Sequence, residues 1–400
     1  MSKESSNRSK DIQGAGKLTV DAIIGITDIV ESMHNTIISL GGKLGESDQP
    51  RTKGITGIVY NNIRNIAEMI GKGLDVSLNQ LSSMMEENES SPGREAVLSA
   101  LNGVLGDYLI ARDNPLSISM RFRREGKPLS DEELTEIIQQ SKGRLAIMVH
   151  GSSMNDLQWN REGHDHGAAL SRDLGITSIY LHYNTGLHTS ENGKTFSNLL
   201  EAFMAQSSQP IELFIVAHSM GGLVSRSACH YGELFGHTWL KKLKKLVFLG
   251  TPHHGALLER GGNWIDNLLE INPYSAPFAR LGKIRSRGVT DLRYGNVVDE
   301  DWKGQNRFKM SKDSRTPVPL PEGVLCYAIA GTTGNEASRV GDELIGDGLV
   351  TVNSALGRHL NPQLQLLFPE THQWVGREMN HFEMLNHPEA YETLKKWLTT

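Results

Sequence analysis

Between residues 17 and 115 apolar side chains recur at steps of three and four. Ile23, Ile26, Val30, Met33, Ile37 and Leu40 form one stripe, and Ile55, Val59, Ile63, Ile66 and Ile70 a second. Val97, Leu101, Val104 and Tyr108 form a third, which stops at the Asp113-Asn114-Pro115 breaker. Such spacing puts each set on one face of a helix. The links GGKLGESDQP and ENESSPG, rich in turn formers, separate the stripes. The pattern therefore predicts an all-helical region over 17–115 whose stripes pack on each other or on the rest of the chain. Residues 1–16 are polar and without period, and are expected to form a disordered tail.

Beyond Pro115 the period changes. SISMRF, RLAIMVH, TSIYLHY, IELFIVAH, KKLVFLG and GVLCYAIAG are short apolar runs rich in β-branched residues. Helical stretches such as SDEELTEIIQQ, HGAALSRDLG and TFSNLLEAFMAQ lie between them, the first with Ser130 as N-cap and Glu133 three residues on. This alternation predicts an α/β domain over 116–400, a mostly parallel sheet with helices on both faces. Residues 256–321 break the rhythm. Trp264, Ile265, Leu268 and Leu269 stand at helical spacing there, so the segment is expected to be an inserted cap or lid.

The composition narrows the partners. The chain has 400 residues, 38% hydrophobic and 22% charged, with a formal net charge of -5. That charge offers no attraction to nucleic acid or an anionic membrane. Cys229 and Cys326 are the only cysteines, too few for a disulfide scaffold or a zinc pattern, which favours a reduced compartment. No apolar run approaches the ~20 residues of a membrane-spanning helix, and the first 20 residues lack a signal's apolar core. A cytoplasmic protein is expected, with a homo-oligomer and a lipid surface touched through the cap as candidate partners.

Ser219 brings in the chemistry. In IVAHSMGGLV it stands between an apolar strand and a helical run, with Ala217 two before and Gly221 two after. A strand-to-helix corner of this kind is a nucleophile elbow, where only small neighbours let strand and helix close on a strained serine. The alternative is a turn that merely contains a serine. Earlier, RLAIMV runs into His150-Gly151-Ser152-Ser153, where a backbone N–H could complete an oxyanion hole. The two donors would be Ser152 and Met220, with His150, Gly151 and His218 shaping the pocket together with Trp264 and Leu268. Later come Asp347 in GDGLV and His381 in NHFEML. The order Ser219, Asp347, His381 is that of an α/β-hydrolase triad, in which imidazole activates the hydroxyl and the carboxylate fixes its tautomer. Asp342 and His387 are the rivals for acid and base. His387 precedes Pro388, where helix capping suits it better. His253-His254 is expected to line the cap hinge. His164-Asp165-His166 lacks a fourth ligand and reads as a helix start, so neither metal nor cofactor is expected.

The set VHGSSMN, YNTGLHTSENG, AHSMGGLVSR, FLGTPHHGA, GDGLV and NHFEML resembles bacterial lipases and esterases of the α/β-hydrolase superfamily. More narrowly it is similar to the group related to GPI-inositol-deacylase-like lipases. The likeness covers about Arg144 to Thr400 and does not reach residues 1–115. It implies hydrolysis of small-molecule or lipid esters, with Ser219 as nucleophile, Asp347 as acid and His381 as base. An acyltransferase, thioesterase or amidase of the same fold, or a non-catalytic binding protein, are the alternatives.

Overall fold

Every second side chain of the central strands turns to the same side, and the apolar runs become one sheet on that principle. The computed structural model describes residues 92–111, 113–207, 209–256, 286–306, 313–334 and 346–399. The strands among them are β1 (Arg121–Arg124), β2 (Lys127–Pro128), β3 (Arg144–Val149), β4 (Thr177–His182), β5 (Glu212–His218), β6 (Leu243–Leu249), β7 (Leu325–Gly331) and β8 (Gln373–Gly376). The helices are α1 (Pro92–Ile110), α2 (Asp131–Gln140), α3 (His166–Leu174), α4 (Thr189–Ala205), α5 (Met220–Phe235), α6 (Arg287–Asp291), α7 (Val352–Ala355) and α8 (Pro388–Thr399). The sheet order is β2-β1-β4-β3-β5-β6-β7-β8. From β4 to β8 neighbouring strands are parallel, and β1 runs antiparallel to β4 at the edge.

The alternation sorts the core into two layers. Leu145, Ile147, Val149, Ile215 and Phe248 face α2, α4 and α5 with Phe196, Leu200 and Val224. Ala146, Met148, Val216, Val247 and Ile329 face α3 and α8 with Leu170, Leu394 and Trp397. Central strands are therefore apolar throughout, as strands covered on both faces must be. α2 opens on the expected capping box: Glu133 N–H donates to Ser130 Oγ at 3.2 Å and Ser130 N–H to Glu133 Oε2 at 2.7 Å.

Three strands differ from the sequence reading. The SISMRF strand forms only from Arg121, and β2 and β8 were not foreseen, because edge strands of two and four residues carry too short a pattern. α1 is joined closely to the sheet-bearing part. Asn102 bridges Leu116 O and Ile118 N–H at 2.8 and 2.9 Å, and Glu95 pairs with buried Arg123 at 2.6 Å. Residues 1–91, with the first two stripes, lie outside the described residues, as do the side chains of Val97, Leu101 and Val104. None of the described helices is long and apolar enough to cross a membrane.

The flanks of the expected cap belong to the core. Val297, Val298 and Val318 pack on Leu223 of α5. Asp291 accepts from His188 Nδ1 at 3.0 Å and from Thr189 N–H at 2.8 Å, and Trp302 stacks on His188 at 3.8 Å. Trp264, Ile265, Leu268 and Leu269, the expected lid positions, lie outside the described residues.

Candidate active site

The corner between β5 and α5 is strained. Ser219 has φ 54° and ψ -125°, a region that L-residues adopt rarely and only when their surroundings hold them there. The hold is visible: Ser219 N–H donates to Leu249 O at 2.8 Å, and Gly222 N–H to Ser219 O at 3.0 Å. Gly221 is required by space. A Cβ there would stand 2.5 Å from Val149 O and 2.6 Å from His150 O, both backbone. Ala217 is wholly buried between Val149 and Phe248 of the flanking strands. Ser219 itself is half-buried among fully buried neighbours, so its hydroxyl remains reachable.

Asp347 and His381 meet beyond the ends of β7 and β8. Asp347 Oδ2 lies 2.7 Å from His381 Nδ1, and His381 N–H donates to Asp347 O at 3.0 Å. The other carboxylate oxygen accepts from Leu349 and Val350 N–H at 2.9 and 2.8 Å. A carboxylate acceptor at Nδ1 places the imidazole proton there and leaves Nε2 as the base. Both side chains are buried. Gly250, at φ 56°, passes the imidazole so closely that a Cβ would stand 3.1 Å from Cε1 and Nδ1.

His218 stands behind His381. Its Nε2 is 3.0 Å from His381 O, so that nitrogen carries the proton and donates it. Burial holds its pKa well below the usual imidazole value, keeping the ring neutral. Its Nδ1 has no hydrogen-bond partner and faces Gly151, whose Cβ would stand 3.0 Å away. His150 is also fully buried, stacked on Tyr183 at 4.5 Å and bonded through Nδ1 to Gly151 O at 2.9 Å. Burial pulls it down to about 4.

The loop after β3 passes beside Ser219: a Cβ on Gly151 would stand 3.0 Å from Ser219 Cβ. Ser153 N–H donates to Thr185 Oγ1 at 3.0 Å and Met154 N–H to Gly151 O at 3.4 Å. Ser152 N–H has no acceptor among the described residues. Met220 opens α5, where N–H groups have no intrahelical acceptor. Ser152 and Met220 thus stand in the loop after β3 and at the first position of α5, directly after Ser219.

The remaining candidates separate from this constellation. His387 accepts from Glu389 N–H at 3.3 Å at the start of α8, a capping position. Asp342 lies outside the described residues. Asp165 is the N-cap of α3, accepting from Ala168 N–H at 2.9 Å and from the Tyr180 hydroxyl at 2.7 Å. His164 Nε2 and His166 Nδ1 bond each other at 2.8 Å, and His166 Nε2 donates to Met384 O. Among the described residues no group of three or more His, Cys, Asp or Glu is arranged to hold a metal. His253 and His254 are buried beside Arg226 and Arg315, at 3.4 and 3.3 Å, and tie the segment around Arg315 to the end of β6. Sequence reading missed Thr185, Gly250 and the His188–Asp291 pair. YNTGLHTSENG was a visible motif, but its partners are distant in the chain.

The strand order, the parallel strands from β4 to β8 and the helices on both faces are those of an α/β-hydrolase fold. Residues 119–281 match a family described as a "Domain of unknown function (DUF7379)", and no curated protein matches the chain. Among solved structures it is similar to the lipase BlEst2 of Bacillus licheniformis in mature form, at 20% identity over 64% of this chain and 92% of that one, with TM-score 0.42. Lipase B of Aspergillus fumigatus is similar at 11% identity over 96% and 80%, TM-score 0.42. An α/β-hydrolase fold protein from Chitinophaga pinensis is similar at 11% over 64% and 90%, TM-score 0.35. At such identities these likenesses carry nothing about the reaction.

Proposed function

We propose that the protein is a serine hydrolase that cleaves carboxylic esters through an acyl-serine. The observation that carries this reading is the strained Ser219 on its elbow, with a buried His381–Asp347 pair 2.7 Å apart at the ends of strands in the same sheet. His381 Nε2 takes the Ser219 proton as Oγ bonds the ester carbonyl carbon, and the carbonyl electron pair moves onto oxygen. Ser152 and Met220 N–H stabilise that oxyanion. Collapse breaks the C–O bond to the alcohol, which leaves with the proton from His381. Water then enters by the same steps, its proton going to His381 and from there to Ser219 as the acid departs.

The substrate class is a small-molecule or lipid ester. Thioesters, amides and acceptors other than water use the same groups, so a panel of p-nitrophenyl esters from acetate to palmitate, run beside matched thioester and anilide, reads the preference. Labelling by a fluorophosphonate, mapped by mass spectrometry, is the direct test. Mass added at Ser219 and lost in Ser219→Ala is expected, and an unlabelled native chain overturns the reading.

A further inference from the structure

Glycine weakens a helix interior, so two buried glycines three apart in α1 call for a packing reason. The reason lies beside the nucleophile. A Cβ on Gly103 would overlap Ser153 Oγ and stand 2.9 Å from Ser153 Cβ. A Cβ on Gly106 would overlap the Asn184 amide. The contact is returned from the loop after β4: Asn184 Nδ2 donates to Gly106 O at 3.0 Å, and Gly186 lies so close to Asn102 O that a Cβ has no room. Between those two residues, Thr185 Oγ1 accepts the Ser153 N–H at 3.0 Å. Ser286, the N-cap of α6, donates to Gly103 O at 2.6 Å.

Ser153 itself has φ 59°. A serine keeps such a conformation only where its surroundings over-determine it, and here they are α1 on one side and Thr185 on the other. Ser152, one residue earlier, carries the free N–H. We propose that α1 is a positioning element of the active site: Gly103 and the Asn184–Gly186 loop hold Ser153 in its left-handed conformation and so aim the Ser152 N–H at the oxyanion. This rests on the serine-hydrolase reading. It adds a function for a helix that lies outside the α/β pattern and contributes no catalytic side chain.

The test is Gly103→Ala in the full chain, read by kcat, KM and inhibition by an aryl trifluoromethyl ketone, which forms a tetrahedral adduct with an active serine. Loss of one oxyanion donor lowers kcat by about 10²–10³-fold. A misaimed donor is expected to lower kcat by about tenfold or more, hold KM within about twofold and weaken the ketone in proportion, as befits an interaction made in the transition state. In a Ser153→Gly background the side-chain overlap is gone and only the Cα of residue 153, at 3.1 Å, stays close, so adding Gly103→Ala is expected to change kcat by less than about twofold. Thr185→Val removes the acceptor while keeping the shape, and should lower kcat and ketone affinity together; it makes the same test should Gly103→Ala fail to fold. Native kcat in the folded variants, or a Gly103→Ala loss that persists undiminished in the Ser153→Gly background, overturns the proposal alone. An unlabelled, inactive native protein overturns the hydrolase reading and this proposal with it.

Discussion

A serine with φ 54° is a poor local choice, and its neighbours are selected to tolerate it. Gly221 is absent of side chain where two carbonyls approach, and Gly250 leaves room for the imidazole. The strain lifts the hydroxyl out of a corner whose other residues are buried. Ser219→Ala should therefore leave the fold intact and lower turnover by about 10⁴-fold or more, measured against the same ester panel. Asp347→Asn should be nearly as severe, since an amide facing Nδ1 favours the wrong tautomer, whereas Asp342→Asn should keep near-native rates. Equal effects at the two aspartates would place the acid elsewhere. His218 touches no substrate in this scheme; it holds the main chain of His381. Removing its donor with His218→Phe leaves a buried carbonyl unpaired, worth about 1–3 kcal/mol. The expected result is a lower kcat with little change in KM, and an unchanged kcat would show that His381 needs no such anchor.

At the scale of elements, strand and helix periods placed most of the sheet. LAIMV, LFIVA and LVFL are continuous apolar runs because each strand is covered on both faces, and that signal is strong in sequence. Edge elements were the weak point: β8 has four residues and β1 begins late. α1 carries a further lesson. Its apolar stripe was visible, yet the contacts that join it to the sheet are made by Glu95, Asn102, Gly103 and Gly106, which no hydrophobic period picks out. Arg123 is buried between Glu95 at 2.6 Å and Asp156 at 3.3 Å. Losing one partner of a buried ion pair costs about 3–5 kcal/mol. Asp156 remains in place here and reduces the charge left uncompensated, so Glu95→Gln should fall near the lower end, read as a shift in the urea midpoint. A chain beginning at Pro115 removes that partner and the Asn102 bridge together. It should unfold at lower temperature than the full chain, and equal midpoints would mean that α1 does not stabilise the sheet.

At the scale of the whole molecule, buried neutral imidazoles make the stability of the fold depend on acid. Burial lowers His150 and His166 to about 4 and His254 to about 3, and holds His218 and His253 well below 6.5. In the unfolded chain these groups take up protons near the ordinary imidazole value of 6.5, and in the folded protein they do not. The unfolded state thus binds more protons below that pH, and the stability these residues confer, complete above it, is lost as pH falls towards 4. Each imidazole contributes up to about 1.4 kcal/mol per pH unit in that window. The thermal midpoint should fall steeply from pH 6.5 to 4.5, and His166→Gln should flatten the slope. A midpoint independent of pH over that range would mean that the rings are protonated in the fold.

The sequence by itself determined the order of strands and helices, the elbow at Ser219 and the candidates at Asp347 and His381. Each is written in local spacing or in a short motif whose steric logic needs only neighbours. Tertiary structure alone decided what those residues touch. It brought Asp347 to His381 across 34 positions and His218 to the carbonyl behind it across 163. It set Thr185 under Ser153, and it placed Gly103, in a helix ahead of the α/β domain, against the loop that carries Ser152. The physical reason is that periodicity reports which face of an element is buried, while the partner on that face is chosen by packing among elements distant in the chain.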